Sequence, residues 1–305
     1  MTGQTIAARN APPERTRFKL EGRSVRLDGR IHARRPDLAD IALAGTLFSA
    51  HYARAVELTC VIAGTPVVAA PSARAQAVSE LLRGESFHAL DVTADWAWGF
   101  CGHDAYVGYV RRDALDRREQ ATHRVTAPCA PLFSDAGIKA PITDYWPRGA
   151  RFAGEDGVAD GTFIATTDGF VHHRHAVAAD RLDSDWVAVA ERYLGLPYVW
   201  GGRGHRGVDC SGLVQVALAQ CGIVAPRDTD LQQDGIGAPV AADSPSRRGD
   251  FIFFPGHVGI MADGERLLHA TAHWMAVVVE PLADVVARLA PDHETPIIAR
   301  RRIES

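Results

Sequence analysis

The sequence predicts an α+β chain: small β-barrels, then a C-terminal domain with a helix packed on an antiparallel sheet. Three observations carry this. Asp209-Cys210-Ser211-Gly212 stands between a glycine-rich loop and a run with helical spacing. Strand-like apolar segments follow from Asp250 to Arg301, with one helical interruption. Upstream, between about residues 56 and 178, short alternating strands recur in two copies.

The 305 residues suffice for two or three domains and a sizeable core. A formal charge of −4 argues against a nucleic-acid partner or an anionic membrane. The five cysteines, at 60, 101, 129, 210 and 221, form no Cys-x-x-Cys pair. That excludes a disulfide framework or zinc cluster and suits reduced cytosol. Met1 to Gly22 has no apolar h-region, and no apolar stretch is long enough to span a bilayer. A cytoplasmic location is the expectation.

Residues 1–20 read as disordered. Within the N-terminal arm, 1–55, Pro36-Asp37-Leu38-Ala39-Asp40 and the apolar Ile41, Leu43 and Leu47 predict a short helix. The first barrel is placed at 56–120, with Trp96, Trp98 and Phe100 alternating on one side of a hairpin that turns at Gly102-His103-Asp104. Asp95-Trp96-Ala97-Trp98 is echoed by Asp160-Gly161-Thr162-Phe163, and Asp104-Ala105-Tyr106-Val107 by Asp168-Gly169-Phe170-Val171. A second barrel at 121–178 follows from that repeat. Ala176 to Asp183 reads as a linker, and the last domain takes 179–305. There Ser184 or Asp185 caps a helix from Trp186 to Leu194, which Gly195 ends. A second helix, Gly212 to Gln220, places Leu213, Val214, Ala217, Leu218 and Cys221 at three- and four-residue spacing. Strands are expected at 250–254, 257–262, 267–272, 274–280 and 297–301, with a helix at 282–289.

Cys210 heads a helix, where unpaired N–H groups and the helix dipole favour thiolate over thiol. A cysteine nucleophile also needs an imidazole and a group that orients it. His257 opens one strand and His269 lies on the next, so a hairpin brings them opposite or diagonal to each other. Cys210 is read as the nucleophile, His257 as the base and His269 as the residue fixing its tautomer. The backbone N–H of Cys210, aided by the Tyr198 hydroxyl, would hold the oxyanion. Tyr198 and Trp200 are read as lining the cleft. Cys60, Cys101, Cys129 and Cys221 are read as apolar packing. His172, His173 and His175 are placed on an exposed edge strand, with no fixed carboxylate or cysteine partner nearby. No metal or cofactor is expected there.

Five blocks carry a resemblance: Leu196-Pro-Tyr-Val-Trp-Gly-Gly202, Asp209-Cys-Ser-Gly-Leu-Val214, Gly249-Asp250-Phe251, His257-Val-Gly-Ile260 and Leu268-His269-Ala270. In this order they resemble the NlpC-type cell-wall cysteine peptidases over about residues 185–303. The resemblance implies a papain-like core and a Cys-His-His triad on Cys210, His257 and His269. It also implies cleavage of the γ-D-glutamyl–diamino acid bond in peptidoglycan stem peptides. The upstream half is similar to bacterial SH3-like domains, and the whole resembles the subgroup that recycles cell-wall peptides with a free N-terminal L-alanine. In that resemblance Glu85 pairs with the substrate ammonium and Tyr106 closes the pocket. Asp209 and Ser211 flank the nucleophile, and Arg227-Asp228-Thr229 resembles the subgroup's Arg-Asp-Ser, so these five join the substrate site. Two alternatives stand beside it: an exported hydrolase of intact wall, and a wall-binding module without turnover.

Overall fold

In the computed structural model, residues 27–117 and 120–304 are described. The readings of residues 1–20 as disordered and of Met1 to Gly22 as lacking an apolar h-region fall outside these. The first barrel is one seven-stranded sheet. Its strands are β1 (Val56–Cys60), β2 (Gly64–Val68), β3 (Ala77–Leu82), β4 (Ser86–Val92), β5 (Trp96–Cys101), β6 (Val107–Arg111) and β7 (Leu115–Asp116). They lie in the order β3-β2-β6-β5-β4-β1-β7. Alternation along them turns Val67, Leu81, Phe87, Ala97, Cys101 and Val110 into the core.

The aromatic side of β5 does not fill the barrel. Trp98 packs outward with Ala33 and Leu90, against Leu38, Ala53, Ala55 and Phe100. The N-terminal arm is thus the cover for that face. The expected helix in the arm is instead a two-residue parallel pairing, Ala39–Asp40 with Tyr52–Ala53, and a 3-10 turn over Ile41–Leu43. Asp40 accepts from the Ala42 N–H and caps that turn; Leu38 packs in the Trp98 cluster while Ile41 is exposed, so the expected apolar stripe shares no buried face.

The second barrel comprises β8 (His123–Val125), β9 (Cys129–Phe133), β10 (Ile142–Pro147), β11 (Arg151–Phe152), β12 (Glu155–Gly157), β13 (Phe163–Thr166), β14 (Gly169–His172) and β15 (Ala176–Ala178). They form sheets ordered β10-β9-β14-β13-β12 and β11-β8-β15. The hairpin, 3-10 turn and short strand that close it repeat the succession closing the first barrel. Two expectations change here. His173–His175 is the 3-10 turn, not a strand edge, because the His172 ring accepts from the Arg174 N–H and ends the strand. Ala176–Ala178 is a paired strand, so the linker begins after it.

The C-terminal layer holds helices α1 (Trp186–Glu191), α2 (Cys210–Gln220) and α3 (Thr229–Gly235) beside a small hairpin, β16 (Arg203–Gly204) and β17 (Gly207–Val208). The sheet behind them contains β18 (Ala238–Pro239), β19 (Phe251–Phe254), β20 (His257–Met261), β21 (Arg266–Thr271), β22 (Ala276–Pro281) and β23 (Ala299–Arg302), with α4 (Leu282–Leu289) after β22. Its order is β18-β23-β19-β20-β21-β22. Asp185 caps α1 by accepting from the Val187 and Ala188 N–H groups. The helix stops at Glu191, three residues short of the expected Leu194, which is exposed.

Helix α2 is buried on nearly every side, so its three-and-four spacing understates its burial. The sheet takes one face: Leu213, Val214 and Ala217 pack in one cluster with Phe251, Val258 and Leu268. The barrels take the other. Gln215 donates to Asp104 at 2.7 Å, and the Gln220 side chain accepts from Arg124. Polar residues between the apolar ones therefore find partners across the module boundary.

Candidate active site

The glycine-rich loop and α2 are locked by one carboxylate. Asp209 is the N-cap residue: Oδ1 accepts from the Gly212 N–H at 2.7 Å, and Oδ2 from the Gly201 N–H at 2.8 Å. Gly201 has φ +79°, a left-handed conformation that suits glycine. A Cβ on Gly212 would lie 2.3 Å from the Gly202 carbonyl oxygen, so the motif's glycine permits the helix to touch the loop. Arg227 closes the network. It donates to both Asp209 oxygens at 3.0 and 2.5 Å, to Ser211 Oγ at 2.9 Å and to Ser79 Oγ of β3 at 3.1 Å. Asp209, Ser211 and Arg227 are all buried. Their polar atoms are spent inside the protein, so they set the position of Cys210 and present no free group to a cleft.

Cys210 stands first in α2 and is 6% exposed. Its sulfur lies 3.8 Å from Thr229 Oγ1 and takes hydrogen bonds from the Val258 and Ser211 N–H groups. Val258 follows His257 in β20, so the sulfur touches the strand that carries the imidazole. The helix N-terminus does not make this a thiolate. Burial pushes the thiol up, the Asp209 charge adds to that, and the three hydrogen bonds only partly offset it.

His257, His269 and a third residue step diagonally across three strands. The pairing Ile260↔Leu268 and Met261↔Leu267, continued along the strands, sets His257 diagonal to His269. His257 Nε2 meets His269 Nδ1 at 2.8 Å. His269 pairs with Val278, which puts Glu280 diagonal to it on β22. There His269 Nε2 meets Glu280 Oε1 at 2.9 Å. Glu280 in turn accepts from Arg288 of α4, at 3.0 Å to Oε1 and by a second bond to Oε2, and from the Trp274 indole at 3.3 Å. Burial drives His257 down to about 3, and the facing His269 ring adds to this. Burial also lowers His269, against the pull of Glu280.

Glu280 was not among the residues singled out from sequence. Its signal was a lone carboxylate closing the Val277-Val278-Val279 run, in register with His269 once the strand pairing is known.

Tyr106 of the first barrel meets Asp228 of the C-terminal domain. The Tyr106 hydroxyl donates to Asp228 Oδ2 at 2.9 Å, and Arg30 of the arm donates to the same oxygen at 2.8 Å. Asp228 precedes Thr229, the residue against the Cys210 sulfur. Tyr198 is near enough to Cys210 and Asp209 that, after burial, their charges resist ionisation of its phenol. Trp200 is exposed.

Glu85 is not brought into this group. Arg203 donates to its two oxygens at 2.8 and 3.0 Å, and the Leu82 N–H donates at 2.8 Å. Burial opposes its charge, but Arg203 and His103 prevail and hold it below the usual range. Glu85 and Arg203 line a cavity of about 880 Å³ between the barrels and α2, which Cys210, His257 and His269 do not line. Arg203 also donates to the Glu80 carbonyl at 2.7 Å, so both glutamates serve the joint between barrel and core. Sequence reasoning missed Arg203 and Arg30, whose partners Glu85 and Asp228 lie more than a hundred residues away.

Among the described residues, no group of His, Cys, Asp and Glu side chains could hold a metal. No described helix is long and apolar enough to cross a membrane.

Comparison with known proteins places this geometry. The NlpC/P60 family matches residues 195–287, and the bacterial dipeptidyl-peptidase SH3 domain matches residues 67–115. Dipeptidyl-peptidase 6 of Lysinibacillus sphaericus is 24% identical over 76% of this chain and 93% of that protein. The gamma-D-glutamyl-L-lysine dipeptidyl-peptidase of Bacillus subtilis is 26% identical over 59% of this chain and 65% of that protein. A crystal structure of an NlpC/P60 family protein from Bacillus cereus superposes with a TM-score of 0.68 at 18% identity, covering 81% of this chain and 99% of that one. The fold is therefore the expected one, a papain-like α+β core behind SH3-like barrels. Residues 195–287 thus form an NlpC/P60 domain, behind a bacterial SH3 domain at 67–115.

Proposed function

We propose that the chain is a cysteine endopeptidase that cuts the γ-D-glutamyl–diamino acid bond of peptidoglycan stem peptides bearing a free N-terminal L-alanine, in muropeptide recycling. The observation that carries the chemistry is the 2.8 Å meeting of His257 Nε2 with His269 Nδ1 on the strand against the Cys210 sulfur. His257 spends Nε2 on His269, which leaves Nδ1 for the thiol. Cys210 attacks the carbonyl carbon as its proton passes to His257 Nδ1. The oxyanion is held by the Cys210 N–H, one of the N–H groups a helix start cannot use internally, and by the Tyr198 hydroxyl. His257 then protonates the leaving amine, and water resolves the thioester.

The name of the Bacillus subtilis relative, a gamma-D-glutamyl-L-lysine dipeptidyl-peptidase, supports the γ-D-glutamyl bond, and that of the Lysinibacillus sphaericus relative supports a peptidase. The substrate ammonium falls to Asp228 rather than Glu85. Asp228 neighbours the sulfur's contact residue, and Tyr106 and Arg30 both bond its Oδ2, which leaves Oδ1 for an ammonium, while Arg203 takes both oxygens of Glu85. Thr229, beside the sulfur, and exposed Trp200 border the same cleft.

Comparing L-Ala-γ-D-Glu-diamino acid with its N-acetylated form tests this. Loss of a charge-assisted bond predicts kcat/KM lower by about 10–100-fold for the acetylated peptide. Equal rates would remove the ammonium site.

A further inference from the structure

We infer that Glu280 is a positioning residue that sets the tautomer of His257 through His269. The inference rests on the reading of Cys210 and His257 as nucleophile and base, and adds a fourth member to the line. The geometry is a chain of single contacts: Glu280 Oε1 to His269 Nε2 at 2.9 Å, then His269 Nδ1 to His257 Nε2 at 2.8 Å.

An ionised carboxylate only accepts hydrogen bonds. His269 must therefore carry its proton on Nε2. A neutral His269 then has a lone pair on Nδ1, and the His257 nitrogen facing it must be the donor. His257 is thus protonated at Nε2 and keeps its lone pair on Nδ1, the remaining nitrogen. The direction of both rings follows from the charge at the end of the line. When His257 takes the thiol proton, the cation is met by the His269 lone pair, polarised by Glu280 behind it.

The surroundings keep Glu280 ionised. Burial works against its charge, but Arg288, Trp274 and His269 outweigh that and hold it at about 2. The charged and titratable groups facing it are His269 from β21 and Arg288 from α4, with His257 beyond on β20 and Asp284 beside Arg288. The side chain is also fixed in place. Arg288 reaches both oxygens, and the indole of Trp274 reaches Oε2.

This fixing makes Glu280→Gln informative. The amide oxygen is drawn to the Oε2 position, where Arg288 and Trp274 both donate. Its NH2 then faces His269 Nε2 as a donor. That forces His269 to the Nδ1–H tautomer, which presents a donor to His257 and leaves its Nδ1 protonated. The base is then blocked at the atom that should receive the thiol proton.

Nitrogen-15 imidazole spectra and steady-state kinetics test the proposal together. In the native chain both rings should be protonated at Nε2. In Glu280→Gln, His269 should move its proton to Nδ1. Its kcat should fall by at least about 100-fold with KM within about threefold, as expected when a triad imidazole is held in the wrong tautomer. Arg288→Met, which keeps the carboxylate as acceptor, should keep the native tautomers and lose less than about tenfold in kcat. A native His269 protonated at Nδ1 would overturn the proposal whether or not any variant folds. So would a Glu280→Gln variant with native kcat, or an Arg288→Met variant as impaired as Glu280→Gln with its tautomers unchanged. The spectra need no substrate. A native chain that cleaves no peptide removes the functional reading, while the ring tautomers still decide the role of Glu280.

Discussion

Burial pushes the Cys210 thiol up and the His257 imidazole down, so at neutral pH both are neutral groups. In the proposed mechanism the helix start offers an N–H to the oxyanion instead of a standing thiolate. A base held at about 3 stays unprotonated well below the ordinary histidine range. The acid limb of kcat/KM should therefore lie well below pH 6.5, because this profile reports the free enzyme's groups. A limb at the ordinary histidine value would mean that His257 is solvated. The same shift acts on stability. The unfolded chain binds a proton at His257 that the native chain refuses between about 6.5 and 3, so this contribution falls as pH drops through that window. Urea midpoints across the window should fall more steeply for the native chain than for His257→Gln. Parallel curves would deny His257 that share.

At the scale of elements, α2 owes its placement to the Asp209–Arg227 pair more than to its own spacing. Both partners are buried, and Arg227 also ties Ser79 of the first barrel to the nucleophile's helix. Removing one partner leaves the other charge unpaired, so Arg227→Met should destabilise by about 3–5 kcal/mol in urea titration. A loss under about 1 kcal/mol would mean that water or another cation replaces Arg227. Much at this scale was legible. The Leu282–Leu289 helix, the hairpin turning at Gly102 and the strands carrying His257 and His269 follow from periodicity and turn residues. The arm was not. Its apolar residues answer to Trp98 on the outer face of a barrel, a contact no local pattern contains. Glu280 escaped for the same reason, since a register diagonal appears only once two strands are paired.

Across the whole molecule, the first barrel and the core share a polar joint. Arg203 spans Glu80 and Glu85, Gln215 reaches Asp104, and Tyr106 reaches Asp228. The grouping of His257 with His269 was legible because both sit inside short ordered blocks. The buried roles of Asp209, Ser211 and Glu85 were not, because a sequence shows a charge without its partner. Tyr106→Phe should raise KM for the free-amine peptide by about 10–100-fold, the worth of one hydrogen bond to a charged group, and leave the N-acetylated peptide unaffected. Equal effects on both peptides would move Tyr106 out of the ammonium site.

The central claim is amide cleavage by Cys210 at one bond, and product mass spectrometry addresses it directly. Incubated with L-Ala-γ-D-Glu-diamino acid, the native chain should release L-Ala-D-Glu and the free diamino acid. Cys210→Ala, folded by circular dichroism, should release neither. Release of the same products by the alanine variant, or cleavage at the L-Ala–D-Glu bond instead, would contradict the account.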